Sequence, residues 1–510
     1  MARLLHPDEY DIATRSSLDS QGTFNLDEAD FESQTHPISK VALRRLPWLS
    51  RIFSSPFSSY RQLKPSRPTF ASSSSDRSSF PRRFAFRRRF CYLHIVFGVL
   101  FALCLLTFIF CPSYTRPPAH YSALSKHLKG KIYPGRGNRR HERVFIAASL
   151  YDQGGELAGG QWGKQLLELI DMLGPKEVFL SIYENDSGEE GEKALRKLEK
   201  KINCPKSIVS EKHLDIKNLP SVTIPGGSKR VKRIEYLAQV RNRALQPLED
   251  HPEIHYDKIL YLNDILFKPA DALQLLFSTN VDENGVAQYR AACSVDFDNP
   301  FKFYDTYATR DLNGYSMGLP FFPWFSTAGN GESRKDVLQG KDAVRVRSCW
   351  GGMVAFDAKY FQNGTTPNNT SPASECCLIH ADLQDPQTNV DEITDTGIYM
   401  NPYVRVAYDR RTLSWLWVSR RFEKLYSFVH ALGNHLVGLP WYNPRRAESP
   451  GQSVQETVWV SNGTPDGGGS FQTLDRTAGN DGYCGRRGLQ VLVEDRKPGQ
   501  KGWENIPIPA

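Results

Sequence analysis

Residues 90–111, Phe90 to Cys111, hold no Asp, Glu, Lys or Arg and consist mostly of Phe, Leu, Val, Ile and Cys. As a helix at about 1.5 Å per residue this run reaches roughly 33 Å, enough to cross a bilayer core of about 30 Å. Pro112 ends it. A cleaved signal peptide would sit at the very N-terminus, whereas this run follows the polar residues 1–89, so a retained signal-anchor is expected. Arg82, Arg83, Arg87, Arg88 and Arg89 precede it, and Arg116 is the one nearby cation that follows. The positive-inside rule then puts the N-terminus in the cytosol and the large C-terminal part in a lumen. The expectation is a single-pass type II protein of the Golgi or ER membrane.

That run divides the chain of 510 residues. Residues 1–89, rich in Ser, Arg and Pro, read as a disordered cytosolic tail. Residues 112–141 read as a stem. Sequons for N-glycosylation occur at Asn185, Asn363, Asn368, Asn369 and Asn462, all on the lumenal side. Of nine cysteines, Cys91, Cys104 and Cys111 lie in or beside the apolar run. The other six, Cys204, Cys293, Cys349, Cys376, Cys377 and Cys484, suit disulfides in an oxidising compartment. Their spacings do not match a zinc site, which needs a gap where Cys376-Cys377 are adjacent. The net charge of +8 is concentrated in the tail and stem, and no basic module with interleaved aromatics appears, so nucleic acid is not an expected partner.

From Val144 the pattern changes to alternating strands and helices. Strands are expected at 144–150, 178–183, 207–210 and 259–267, with helices between them, the longest over 230–248. That order predicts an α/β domain over 142–440 with a mostly parallel central sheet, whose ligands would bind at the carboxyl ends of the strands. After Pro269 the pattern loosens into strand candidates at 291–296, 354–356 and 403–408 around an aromatic-rich, irregular stretch, 301–348. Residues 441–510, rich in Gly, Pro and Ser, read as a poorly ordered tail.

Four places carry chemistry. In Ile259-Leu260-Tyr261-Leu262-Asn263-Asp264-Ile265-Leu266-Phe267, an apolar run is interrupted by an amide and a carboxylate. A carboxylate there needs a partner, which could be a divalent ion or, if Asp264 caps the helix opened by Pro269, a backbone N–H. Glu184 and Asp186 also fall at an expected carboxyl end. On the helix 230–248, Arg241 sits in the middle of the stripe Ile234, Leu237, Ala238, Leu245 and Leu248, where it either snorkels out or meets an anion such as a diphosphate. The stretch Phe303 to Asp311 alternates aromatics with Asp305, Arg310 and Asp311, as sugar sites do, or is a structural loop. Finally, Trp350-Gly351-Gly352 permits either a tight turn or a close approach to a ligand. His380 and Asp382 end a short apolar run where, on a strand, they would share a face; His380 could complete a metal site begun by Asp264.

Taken in order, the segments IAASLYDQ, YLAQVRNRAL, ILYLNDILF, FYDTYATRD and SCWGGMVAFDA resemble the fungal capsule-associated α-1,3-mannosyltransferases, the cryptococcal mannosyltransferase type. The resemblance runs over roughly 142–440. It implies a GT-A-like nucleotide-sugar-binding domain, GDP-mannose as donor, a mannose-containing acceptor and Mn2+ or Mg2+ as cofactor. Asn263-Asp264 corresponds to the family's Asp-x-Asp motif, with one carboxylate where many such enzymes have two. On this pattern Arg241, Asn263 and Asp264 bind the donor; reading the residues themselves adds Ser149 and Glu184 to the donor site and His380 to Asp264 as a metal ligand. Asp305, Arg310 and Trp350 face the acceptor, and Asp264, Asp311 and Asp382 are the catalytic candidates, with Asp296 a further carboxylate for the acceptor. Transfer from an α-linked donor to an α-linked product retains configuration. A non-catalytic polysaccharide assembly or export factor, or a lumenal carbohydrate-binding protein, is the alternative on the same fold.

Overall fold

The computed structural model describes residues 81–510 apart from 131, 213, 215, 217–218, 220, 225–227, 363–375, 386–391, 441–443, 463–468, 485–488, 494–501 and 507–510. The chain forms two units, one of residues 22–105 and one of residues 1–21 with 106–510. What is described of the first is most of helix α1 (Pro81–Phe110). Among the described residues no helix is long and apolar enough to cross a membrane. The membrane span expected at 90–111 is therefore not established by the structure.

The second unit begins with α2 (Tyr121–Leu128), β1 (Val144–Leu150), α3 (Gln161–Leu173), β2 (Val178–Asn185), α4 (Gly188–Glu199) and β3 (Lys206–Glu211). It continues through β4 (Ser221–Thr223), β5 (Lys229–Val231), α5 (Arg233–Asp250), β6 (Lys258–Leu262) and α6 (Pro269–Ser278). Next come β7 (Ala291–Asn299), β8 (Lys302–Phe303), β9 (Arg310–Asp311), α7 (Glu332–Gln339), β10 (Val344–Ser348), β11 (Met353–Asp357) and α8 (Lys359–Gln362). The last part holds α9 (Cys376–Leu383), β12 (Ile398–Ala407), α10 (Arg410–Phe422) and α11 (Lys424–Val437). It closes with two hairpins, β13 (Ser453–Ser461) with β14 (Gly469–Thr477) and β15 (Leu489–Leu492) with β16 (Trp503–Ile506).

Ten strands form one sheet in the order β3-β2-β1-β6-β11-β7-β12-β10-β9, with β8 on β7. β3, β2, β1 and β6 are mutually parallel, as the alternation of strands and helices requires. β11 then enters antiparallel between β6 and β7, and β12 returns parallel to β7. The sheet is mixed in its pairing but mostly parallel in strand direction. It is covered on both faces, so its strands alternate between two cores. Ile146, Ala148, Leu260 and Leu262 face Trp162, Leu166 and Leu169 of α3 and Leu273 of α6. Phe145, Ala147, Ile259 and Tyr261 face Val240, Ala244 and Leu248 of α5 and a cluster holding Trp324 and Trp350.

Several expectations change. The strand at 259–267 stops at Leu262, and Leu266 makes only an isolated bridge with Ala407. The helix expected from Arg230 begins at Arg233, because Lys229–Val231 pairs with β4. The irregular stretch 301–348 holds β8, β9, α7 and all of β10. Residues 376–383 are helical, so His380 and Asp382 are about 200° apart and not on one face. The C-terminal segment is folded: Cys484 is bonded to Cys377 and Tyr483 is buried. Its Gly and Pro content hides short runs of β-branched and aromatic residues such as Thr457 to Val460.

Candidate functional site

The carboxyl edge of β6 is built by three indole and amide contacts. Trp162, in the first turn of α3, donates its Nε1–H to the Asn263 carbonyl at 2.9 Å. The Asn263 N–H donates to the Gly352 carbonyl at 2.9 Å, and Trp350 Nε1 donates to Asn263 Oδ1 at 3.2 Å. Asn263 is 5% exposed, and through Oδ1 its side chain is a strut for the turn before β11. Asp264 follows directly and is half-buried. It does not cap α6, whose N-cap is Lys268 without a side-chain bond. On β1, Ser149 accepts a hydrogen bond from the Tyr261 hydroxyl at 3.1 Å, and the Tyr261 ring lies 5.3 Å from that of Trp350.

Arg241 is buried, and its guanidinium lies over the Trp350 ring at 4.6 Å. It therefore does not snorkel; an aromatic face and nearby carboxylate charge stabilise it. That charge is Asp305, whose carboxyl is raised by burial and pulled back by the N–H groups of Ala308 and Gly351 and by Arg310 and Arg241. Ala308 donates to Asp305 Oδ1 at 3.0 Å and Gly351 to Oδ2 at 3.1 Å. Asp296, on β7, accepts from the Asp305 N–H at 3.1 Å and from the Tyr408 hydroxyl at 2.9 Å. Burial, and then the Asp305 charge, hold the Asp296 carboxyl well above the usual range. A guanidinium, an indole face and a pair of neighbouring carboxylates thus meet beside the end of β6.

The paired glycines are a tight turn. Both have positive φ, and a Cβ on Gly351 would stand 1.9 Å from the Ser294 carbonyl oxygen. Cys349, just before Trp350, is bonded to Cys293 of β7. His380 and the two sulfurs are the one group of three candidate metal ligands among the described residues, and the disulfide removes them as ligands. His380 is fully buried, with Nε2 bonded to the Cys349 carbonyl and its pKa pushed down to about 4 by burial.

The remaining expected residues have other partners. Glu184 accepts from the Ser187 N–H at 2.8 Å and from the Ser210 hydroxyl, which ties β2 to α4 and β3. Arg310 donates to the carbonyls of Tyr483, Tyr307 and Thr309, so it anchors the C-terminal segment. Asp311 is buried, accepts from the Tyr315 N–H at 2.8 Å and is pushed up to about 7 by burial. Asp382 is pushed up to about 6 by burial and the Asp481 charge. Asn185 is a correction: it is 5% exposed and its amide nitrogen donates to Tyr236 and Asp186, which leaves no room for a glycan. Asn462 is exposed, whereas Asn363, Asn368 and Asn369 lie outside the described residues.

Residues 143–382, which include every element of this edge except Tyr408, match the family model described as cryptococcal mannosyltransferase 1. This segment belongs to the cryptococcal mannosyltransferase family. No curated protein matches the sequence. Among solved structures, the chain resembles a Pyrobaculum calidifontis mannosyltransferase, PcManGT, in complex with GDP-Man and Mn2+, at 12% identity and a TM-score of 0.31 over 65% of this chain and 72% of that one. It also resembles residues 1–349 of S. aureus TarS, at 10% identity and a TM-score of 0.25 over 54% and 65% of the two chains. A third is mannosyl-3-phosphoglycerate synthase from Rubrobacter xylanophilus, at 12% identity and a TM-score of 0.25 over 72% and 94%. Likenesses this faint carry no argument about this chain.

Two supports of this edge are not legible in the sequence. One is the Cys293–Cys349 bond that seats Trp350, since six cysteines allow many pairings. The other, just beyond the segment, is Tyr408, whose hydroxyl completes the Asp296–Asp305 pair; nothing in its neighbourhood distinguishes it from an ordinary strand-end aromatic.

Proposed function

We propose that this chain is a membrane-anchored, Golgi-type glycosyltransferase with a GT-A-like domain that moves mannose from GDP-mannose to a mannose-containing glycan. The linkage is α-1,3, formed with retention and with the help of a divalent ion. The observation that carries the reading is the buried Arg241–Trp350 pair beside Asp264 at the carboxyl edge of β6, inside a mannosyltransferase-family segment. A buried guanidinium at a sheet's carboxyl edge suits a diphosphate, whose oxygens match its fork.

A divalent ion fits this donor set best through Asp264. Asn263 Oδ1 already accepts from Trp350, and His380 is enclosed beside the disulfide. One carboxylate with phosphate oxygens and water is an ordinary set for Mg2+, and the ion would supply positive charge at the leaving diphosphate. Arg241 adds fixed charge on the same group as the glycosidic bond breaks. Trp350, buried between Arg241 and Tyr261, holds the guanidinium in place. Asp305, linked electrostatically to Arg241, is the carboxylate we assign to the acceptor hydroxyl, ahead of Asp311 and Asp382.

The test is product analysis. Full-length chain in detergent micelles, supplied with GDP-mannose, Mn2+ and α-mannoside acceptors, is expected to yield α-1,3-linked mannose. No product with any mannoside, together with GDP-mannose binding unchanged by Asp264→Asn, would leave the non-catalytic alternative standing.

A further inference from the structure

Three aromatic rings stand together where β7 ends. Phe301 and Phe321 are 44% and 39% exposed, and each meets the half-buried Tyr426 of α11 edge-to-face, at 6.3 Å and 6.5 Å between ring centres. The backbone fixes their place. Asn299 Oδ1 accepts from the N–H groups of Phe301 and Lys302, both at 3.1 Å, which closes the turn from β7 to β8 with Phe301 at its tip. The Phe303 N–H donates to the Pro320 carbonyl at 2.8 Å and so brings the Phe321 segment alongside. Lys302 and Asp298 form an ion pair at 2.9 Å on the same turn.

This cluster belongs to the edge that holds Asp264. β6 and β7 both run antiparallel to β11, so their carboxyl ends lie on one side of the sheet. From Phe301 the chain leads directly to the carboxylate assigned to the acceptor. The Tyr304 N–H donates to the Asp296 carbonyl at 3.0 Å, and the Asp305 N–H to Asp296 Oδ1 at 3.1 Å. Phe301 is exposed and Lys302, Tyr304 and Asp305 are half-buried, so Phe303 alone of these five residues is enclosed. The Tyr304 ring, 4.4 Å from that of Tyr408, continues the aromatic surface toward the Asp296–Asp305 pair. The chain from Phe301 to Asp305 spans at most about 14 Å, a distance that a short oligosaccharide covers.

Resting on the mannosyl-transfer reading of this edge, we infer that Phe301, Phe321 and Tyr426 form a distal acceptor subsite. It holds one ring of an oligosaccharide whose terminal sugar lies at Asp305. Aromatic faces take the C–H surface of a sugar, and the ammonium and carboxylate of Lys302 and Asp298 take its hydroxyls. Size argues against a protein partner, since three half-open rings fall far short of the roughly 1,000 Å² that such an interface covers. The acceptor of this chain is then an oligosaccharide rather than a single mannoside.

The test uses the full chain in detergent micelles with GDP-mannose and Mn2+, and compares methyl α-mannoside with α-linked mannotetraose as acceptors. Wild type should favour the tetraose by about tenfold or more in kcat/KM. Phe301→Ala with Phe321→Ala, both at exposed positions, should lower the tetraose value about tenfold. The value for methyl α-mannoside, which is too short to reach the subsite, should stay. Phe301→Tyr, which keeps a ring, should keep the preference. Equal values for the two acceptors in wild type would overturn the inference. So would an equal fall for both acceptors in the double variant, or a preference that the double variant retains in full. If neither acceptor is mannosylated, the proposed activity fails, and equilibrium dialysis of labelled mannotetraose decides the subsite alone. Binding weakened about tenfold by the double substitution upholds it, whereas no binding, or binding that the substitution leaves unchanged, overturns it.

Discussion

Arg241 carries a fixed charge at 6% exposure, and its surroundings include an indole face and the field of the Asp305 carboxylate. Trp350 does two tasks there, since it lies beneath the guanidinium and donates to Asn263. Trp350→Leu is therefore expected to lower stability by about 2–4 kcal/mol, through lost packing, a lost hydrogen bond and a lost cation–π contact. Urea unfolding measures it, and an unchanged midpoint would show that the indole is not structural. Asp311 makes a pH prediction. Its pKa is near 3.8 in the unfolded chain and about 7 in the folded one, so the folded state binds more protons between those values. Stability then falls as pH rises from about 4 to about 7 and levels off above, because the slope follows unfolded minus folded protons. Asp311→Asn should flatten that fall in a series of thermal midpoints; matching profiles for the two proteins would refute the assignment.

At the scale of elements, the turn before β11 decides whether the edge of β6 can form. Gly351 and Gly352 have φ of 58° and 72° in succession, and a Cβ on Gly352 would meet Ile265 Cγ2 at 2.7 Å. Gly351→Ala faces backbone at 1.9 Å and Gly352→Ala a side chain that can shift, so the first should cost more, each on the order of 1–3 kcal/mol. Thermal denaturation of the pair gives the order, and a reversed order would contradict the geometry. The parallel half of the sheet was legible because β1, β2 and β6 are short apolar runs separated by amphipathic helices. Arg241 was legible for the converse reason, as a charge in an apolar stripe. His380 with Asp382 was misread because an eight-residue helix and a short buried strand have the same apolar content. Nor could the sequence show that Glu184 and Arg310 would spend their hydrogen bonds on the scaffold, since those partners, Ser210 and Tyr483, are remote in sequence.

For the molecule as a whole, the C-terminal segment completes the domain. The Cys377–Cys484 bond closes a loop of sequence separation 107, Arg310 donates to the Tyr483 carbonyl, and Gln384 donates to the Tyr483 hydroxyl at 2.7 Å. Loops of that length gain most from closure, so Cys484→Ser should cost about 2–5 kcal/mol. Cys377→Ser should cost the same, and the double variant little more; a loss confined to one cysteine would point to packing instead. The central claim, that the edge of β6 binds and activates the donor, is tested most directly by GDP release from GDP-mannose by the full chain with Mn2+ and a mannoside acceptor. The account predicts a loss of about 100-fold or more for both Asp264→Asn and Arg241→Lys, the size expected when one stabiliser of developing charge is removed. Asp311→Asn should stay close to wild type. Wild-type GDP release by Asp264→Asn would contradict it.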